Sequence, residues 1–242
     1  MIPASQAEEV AKRFGIESVP ESVQRLNQLI AKRDADVEDF AKLINQDKDL
    51  AARLLRAANP RAETEADYVA TTVEEALQRT GMSSALLLAM SDPLLRAVAK
   101  TFHTMLSIEL KPVAPNALNP LAGEHVLGEV SFAGKATGLV HLRLPKSAIA
   151  LLGEKLLGLS PADVADPVVA NDVIGELCNM IVGNFKSNLC DAGLNCKLNP
   201  PRIATSSEFK LRVVEGGTHN ATASRAHSLD FFADLSVNPW SE

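Results

Sequence analysis

The apolar residues of this chain change their period after residue 107, and that change limits what it can fold into. Up to that point they recur every three or four positions, the spacing that lines one face of a helix. Val23, Leu26, Leu29 and Ile30 repeat in this way behind Pro20 and Glu21. Val37, Phe40, Ala41 and Ile44 do the same behind Asp36, a residue type suited to cap a helix N-terminus. A third helix is predicted over residues 50–58, ended by Pro60. After a looser polar stretch at 61–71, Thr72 caps a fourth helix carrying Val73, Ala76 and Leu77, with Gly81 at its C-terminus. A short apolar helix follows at 83–90, and Asp92-Pro93 opens another that runs to about residue 108.

Residues 110–120 hold three prolines and read as an extended segment with turns. Residues 125–132 and 138–144 alternate as strands, joined through Ala133-Gly134-Lys135. Pro145 starts a helix to about residue 157, and a connection at 161–167 leads into a long helix at about 168–190. Asn199-Pro200-Pro201 breaks the chain. Strands at 209–214 and 229–237 close the fold, with the polar stretch 216–228 as a mobile loop between them. The fold class is α+β, with an all-helical region at 1–90 and a second domain at 91–242. There is no internal repeat and no low-complexity tract.

Several functions are disfavoured by composition. A net charge of −6 argues against nucleic acid or an anionic membrane as the main partner, and one Trp and one Tyr leave little for base stacking. No apolar run approaches the ~20 residues of a spanning helix. Met1 to Lys12 lacks the apolar region of a secretory signal, so a cytoplasmic location is expected. Cys178, Cys190 and Cys196 lack the paired spacing of a zinc site. They read as a reduced set, with a bridge between two of them as the alternative. The five histidines are dispersed, and Gly216-Gly217 is a turn signal rather than a phosphate loop.

The long helix carries the chemistry. With Asp172 at 0° and about 100° per residue, Glu176 falls near 40°, Asn179 near −20° and Gly183 near 20°. Val173, Ile174, Leu177, Ile181, Phe185 and Leu189 occupy the opposite arc, at about 100° to 260°. One face is therefore apolar, and the other presents a carboxylate beside a carboxamide. Gly183 removes a side chain next to that pair and lets another protein approach. A solvated polar face is the plain alternative.

Asp172-x-x-x-Glu176-x-x-Asn179, followed by Met180 to Lys186, resembles the signature of the CheC/CheX/FliY chemotaxis phosphatases. Ile174-Gly175-Glu176-Leu177 and Asn179-Met180 are similar to the CheX branch, as is having one Glu-x-x-Asn rather than two. Cys178 stands where the family commonly has a small residue. The resemblance spans residues 92–238 and implies a mostly antiparallel sheet with long helices on one face. It implies that the partner is a phosphorylated CheY-type receiver, whose aspartyl phosphate is hydrolysed. Asn179 would hold the attacking water and Glu176 would engage the receiver's active-site lysine. Asp172 matches the first motif position, with charge or helix capping as its alternative role. No cofactor is implied in this chain, Mg2+ being the receiver's. A homodimer is also implied. A receiver-binding adaptor and an assembly component with an unused motif remain as alternatives.

Val19 to Val23, Ile44 to Leu50, Arg53 to Asn59 and Val73 to Gly81 resemble the opening helices of an HDOD domain, over residues 16–90. There is no His-Asp dipeptide, so this region is read as an interaction or regulatory module, or as a helical extension packed on the second domain.

Overall fold

Short amphipathic helices lead the chain, and the second to fourth of them begin at side-chain caps. In this computed structural model, residues 21–30, 32, 35–59, 69–113, 123–135, 137–207, 218–226 and 229–238 are described. Helix α1 spans Glu21–Ile30 and buries Val23 and Leu26. In α2, Val37–Ile44, the Asp36 side chain accepts from the Asp39 N–H. In α3, Lys48–Ala58, Asp47 accepts from Leu50 in the same way. Helix α4, Val73–Thr80, starts with a full capping box between Thr72 and Glu75. Gly81, at φ 81°, then turns the chain where a side chain would be strained. Pro20, Pro60, the stretch 61–68, Pro115, Pro120 and the strand expected at 209–214 lie outside the described residues.

Helix α5 departs from the sequence reading. It runs unbroken over Met82–Leu106 and contains Pro93, where two helices were expected. Proline at this position removes the N–H that would bond the Ala89 carbonyl, and its ring crowds that carbonyl. The turn is braced by its neighbours. Arg53 of α3 donates to the Leu88 carbonyl at 2.6 Å and ion-pairs with Asp92. Ser91 donates to the Leu87 carbonyl at 2.8 Å and accepts from the Asn220 amide at 2.8 Å. Residues 85–91 are buried without interruption, so α5 is enclosed on all sides there. The helix passes through residue 90, its early turns against α3 and α4 and its later turns against the sheet. A single apolar core joins both regions.

After β1, Lys111–Val113, the hairpin of β2, His125–Gly134, and β3, Thr137–Pro145, forms the centre of a seven-stranded antiparallel sheet. A 3-10 turn leads into α6, Ile149–Leu157, and a connection into α7, Pro167–Asp191. Strands β4, Cys196–Leu198, and β5, Arg202–Ser206, both pair with the outer edge of β2, one on either side of the Pro-Pro break. Strand β6, Thr218–Ala226, pairs with β7, Leu229–Asn238, which pairs with β3. The sequence placed a loop over the residues of β6. Its side chains, mostly small or polar, give no apolar alternation, but β7 on one side and β1 on the other supply its hydrogen bonds.

The helices lie on one face of the sheet. Phe102 of α5 packs edge-on to Phe231 of β7 at 4.9 Å, and Phe185 of α7 meets Phe132 of β2 at 6.1 Å. On the opposite face Glu129 and His141 sit across from each other, both buried, at 3.1 Å. Among the described residues, no single helix is long and apolar enough to cross a membrane.

The brace at Pro93 makes a prediction. Burial raises the Asp92 carboxyl above its usual range, with Arg53 pulling it the other way. A raised folded-state pKa means that the folded protein holds this proton more tightly. The group's contribution to stability is therefore present in acid and is lost as pH rises through the raised value. Arg53→Met should cost about 1–3 kcal/mol near neutral pH, the usual worth of hydrogen bonds to charged groups. It should also steepen the loss between about pH 4 and about pH 7, because the opposing pull is gone. Urea denaturation at both pH values checks this, and equal losses in variant and wild type would contradict it.

Candidate functional site

Helix α7 begins at Pro167, with Asp166 as its cap, accepting from the Val168 N–H at 2.9 Å. Capping is thus done by Asp166 and not by Asp172, which lies in the second turn. Val173, Ile174, Leu177, Cys178, Ile181, Val182, Phe185 and Leu189 are all buried, packed between α5, α6 and the sheet. Asn184, which also falls on the inward arc, has its amide 3.4 Å from the Thr101 hydroxyl of α5.

Helix and sheet approach closely at Gly128 of β2. A Cβ placed there would stand 2.2 Å from the Cys178 sulfur and 3.5 Å from both Ile174 and Ile203. Only glycine lets Cys178 sit this close. Burial pushes the Cys178 thiol up to about 12, so it serves as a small apolar filler and not as a nucleophile. Cys190 and Cys196 are also free thiols.

With its apolar face fixed, α7 must turn Asp172, Glu176 and Asn179 outward. All three are exposed, and among the described residues none of them makes a hydrogen bond or ion pair. They share an open depression of about 560 Å³ with Asn171, Gly175, Pro201 and Ile203. A Cβ on Gly175 would lie 3.9 Å from the Pro201 ring, so the missing side chain keeps the depression open between helix and strand. Gly183 lies a turn further along the helix and does not line the depression, although a Cβ there would also meet open space.

Asn171, Gly175, Pro201 and Ile203 were not singled out from the sequence. For Gly175 the signal was available, since the same 100° rule places it at about −60°, beside the motif face. Pro201 and Ile203 reach the site only because β5 pairs with β2, a long-range contact that local periodicity does not encode.

The floor and the polar wall together offer an unpaired acid and amide, fixed side by side, to something arriving from solvent. The carboxylate can accept hydrogen bonds or pair with a cation, and the carboxamide can both donate and accept.

Comparison with known proteins bears on both regions. Residues 126–222 match the family model described as chemotaxis phosphatase CheX. Residues 16–118 match that of the HDOD domain, a likeness reaching through α5. Chemotaxis protein CheX from Vibrio vulnificus superposes with a TM-score of 0.53 at 20% identity, over 62% of this chain and 96% of that one. A CheC-like superfamily protein from Shewanella sp. PV-4 gives 0.53 at 22%, over 62% and 97%. CheX from Desulfovibrio desulfuricans gives 0.52 at 19%, over 62% and 99%. At these identities the superpositions establish the fold. A search of the curated proteins finds no match.

The contact at Gly128 is open to test. Gly128→Ala drives a methyl into the Cys178 sulfur and should cost about 1–3 kcal/mol, as overpacking does. Pairing it with Cys178→Ala removes the sulfur and should recover most of that loss, as read from urea midpoints. No recovery in the double variant would mean that the strain lies elsewhere.

Proposed function

We propose that this chain, an HDOD-type helical region joined to a domain of the CheX family, hydrolyses the aspartyl phosphate of a CheY-type receiver domain. One observation carries the reading: Glu176 and Asn179 stand exposed and, among the described residues, without internal partners, on a helix whose other face is buried. A carboxylate and a carboxamide held in this way are presented to a partner.

The chemistry needs little from this chain. An acyl phosphate is already activated, and the receiver brings the metal and the lysine. Water attacks phosphorus, the bond to the aspartyl oxygen breaks, and the carboxylate leaves with the electron pair. What must be added is a water in line with that bond. Asn179 supplies it, its carboxamide accepting from the water and donating to the phosphoryl group or its surroundings. Glu176, one turn away, pairs with the receiver's lysine and orients the docked helix. Holding a reactant in line can be worth several orders of magnitude in rate, provided that the support is stiff. Asp172 adds negative charge beside Glu176, which suits a lysine-bearing partner. The receiver's Mg2+ stays with the receiver.

Asn179→Ala should slow phosphate release about 10²-fold or more, with affinity for the phosphorylated receiver within about threefold of wild type. Equal decay with variant and wild type would reject the catalytic role and leave a receiver-binding adaptor. Glu176→Lys should weaken binding at least tenfold through charge reversal against the lysine. Unchanged affinity by calorimetry would count against that pairing.

A further inference from the structure

The depression beside the motif has two unlike walls. Among the described residues, the charged and amide side chains in it belong to α7, namely Asn171, Asp172, Glu176 and Asn179. The facing wall is apolar, made by Pro201 and Ile203, both half-buried. We infer that Pro201 and Ile203 are positioning residues that seat an apolar side chain flanking the receiver's acyl phosphate, and that they select which receivers are served. The inference rests on the function proposed above.

The first argument is division of labour. The acyl phosphate and the lysine beside it belong to the reaction itself, so any phosphorylated receiver offers them. Glu176 and Asn179, reading those groups, give catalysis without choice. Selection has to come from contacts to parts of the partner that vary, and an apolar wall next to the reacting group is placed to make them.

The second argument is rigidity, without which a wall cannot discriminate. Asn199 is tied to β2 twice: its N–H donates to the Ser131 carbonyl at 2.9 Å and its amide to the Ser131 hydroxyl at 2.8 Å. Pro200 and Pro201 follow with fixed φ. Ile203 then pairs opposite Gly128, with its Cδ1 3.5 Å from where a Cβ of that glycine would be. The same glycine receives Cys178 and Ile174 of α7. Both walls are therefore referenced to one residue of β2, and the gap between them is set.

The third argument is that the gap is kept empty. Gly175 is the helix residue that faces Pro201, and any side chain there would begin to fill the space. A partner group entering the depression is bounded by amide and acid on one side and by the Pro201 ring and the Ile203 side chain on the other.

The test uses the full chain and the receiver domain that wild type binds most tightly when that domain is loaded with beryllium fluoride and Mg2+. Pro201→Ser and Ile203→Thr keep the strand and the β-branching while making the wall polar. Each should raise KM for the phosphorylated receiver about tenfold, as the loss of a well-packed apolar contact does, with kcat within about twofold. Calorimetry against the same receiver loaded with beryllium fluoride and Mg2+ should show a matching loss of affinity. Melting temperatures close to wild type would show that the fold is kept, and Gly175→Met, which fills the gap from the helix side, is the second route to the same loss. Unchanged KM and affinity in all three variants overturn the inference while leaving the phosphatase reading intact. A fall in kcat with KM unchanged also overturns it, since that is what a loosened α7 would produce. Conversely, weakened binding by the variants, with no phosphate release by wild type, upholds the wall and rejects the phosphatase reading.

Discussion

The site depends on how closely α7 can approach the sheet, and a glycine on β2 decides that. At Gly128 the helix sends Cys178 and Ile174 down, and β5 sends Ile203 across, so three side chains from two elements converge where β2 offers none. A helix buried along one face has no freedom to rotate about its axis. Turning α7 by even one position would expose Leu177 or Val173 and bury Glu176, costing a few kcal/mol for the apolar side chain and more for the unpaired charge. The outward aim of the acid–amide pair is thus a consequence of packing behind it. This is why a buried thiol with no chemistry of its own matters to a site on the opposite side of the helix.

The two regions are less separate than their family likenesses suggest. Helix α5 belongs to both: its early turns are enclosed by the leading helices, while Phe102 reaches Phe231 in the sheet. Arg53 reaches from α3 into the turn that Pro93 loosens, and Asn220 of β6 meets the same turn from the other side. The proline is tolerated because its neighbours supply what it removes. Cutting the chain near residue 90 would divide a helix and open a continuous apolar core, so the leading helices act as part of the scaffold whatever else they do.

How much of this could be read from the sequence follows from how local each signal is. The caps at Asp36 and Thr72 lie within three residues of their partners and were legible, as were the 3.6-residue stripes of α1 to α4 and of α7. The motif face was legible for the same reason: Asp172, Glu176 and Asn179 are related by helix geometry alone. Pro93 misled because its local meaning is a helix start, and the contacts that brace it come from Arg53 and Asn220, 39 and 129 residues from their partners Asp92 and Ser91. Strand β6 was hidden because Thr, Asn and Ala in THNATASRA give no alternation, and its strand character comes from two neighbours. The apolar wall was hidden likewise, since Pro201 and Ile203 stand beside Gly175 through sheet pairing.

The same geometry constrains how the leading helices could influence the site. Among the described residues, one hydrogen bond joins them to the far end of α7, where the Asn27 side chain donates to the carbonyl of the C-cap residue Ala192 at 3.0 Å. Asn179 lies thirteen residues before Ala192, about 20 Å along a helix that rises 1.5 Å per residue. A push at that end cannot bend a rod packed along its whole length. It can shift the rod over the sheet, where Gly128 lies beneath Cys178 and beside Ile203. Such a shift would move the polar wall relative to the apolar one and change the gap between them. A displacement of α1 passed on through Asn27 would therefore act on the width of the depression between Asn179 and Ile203.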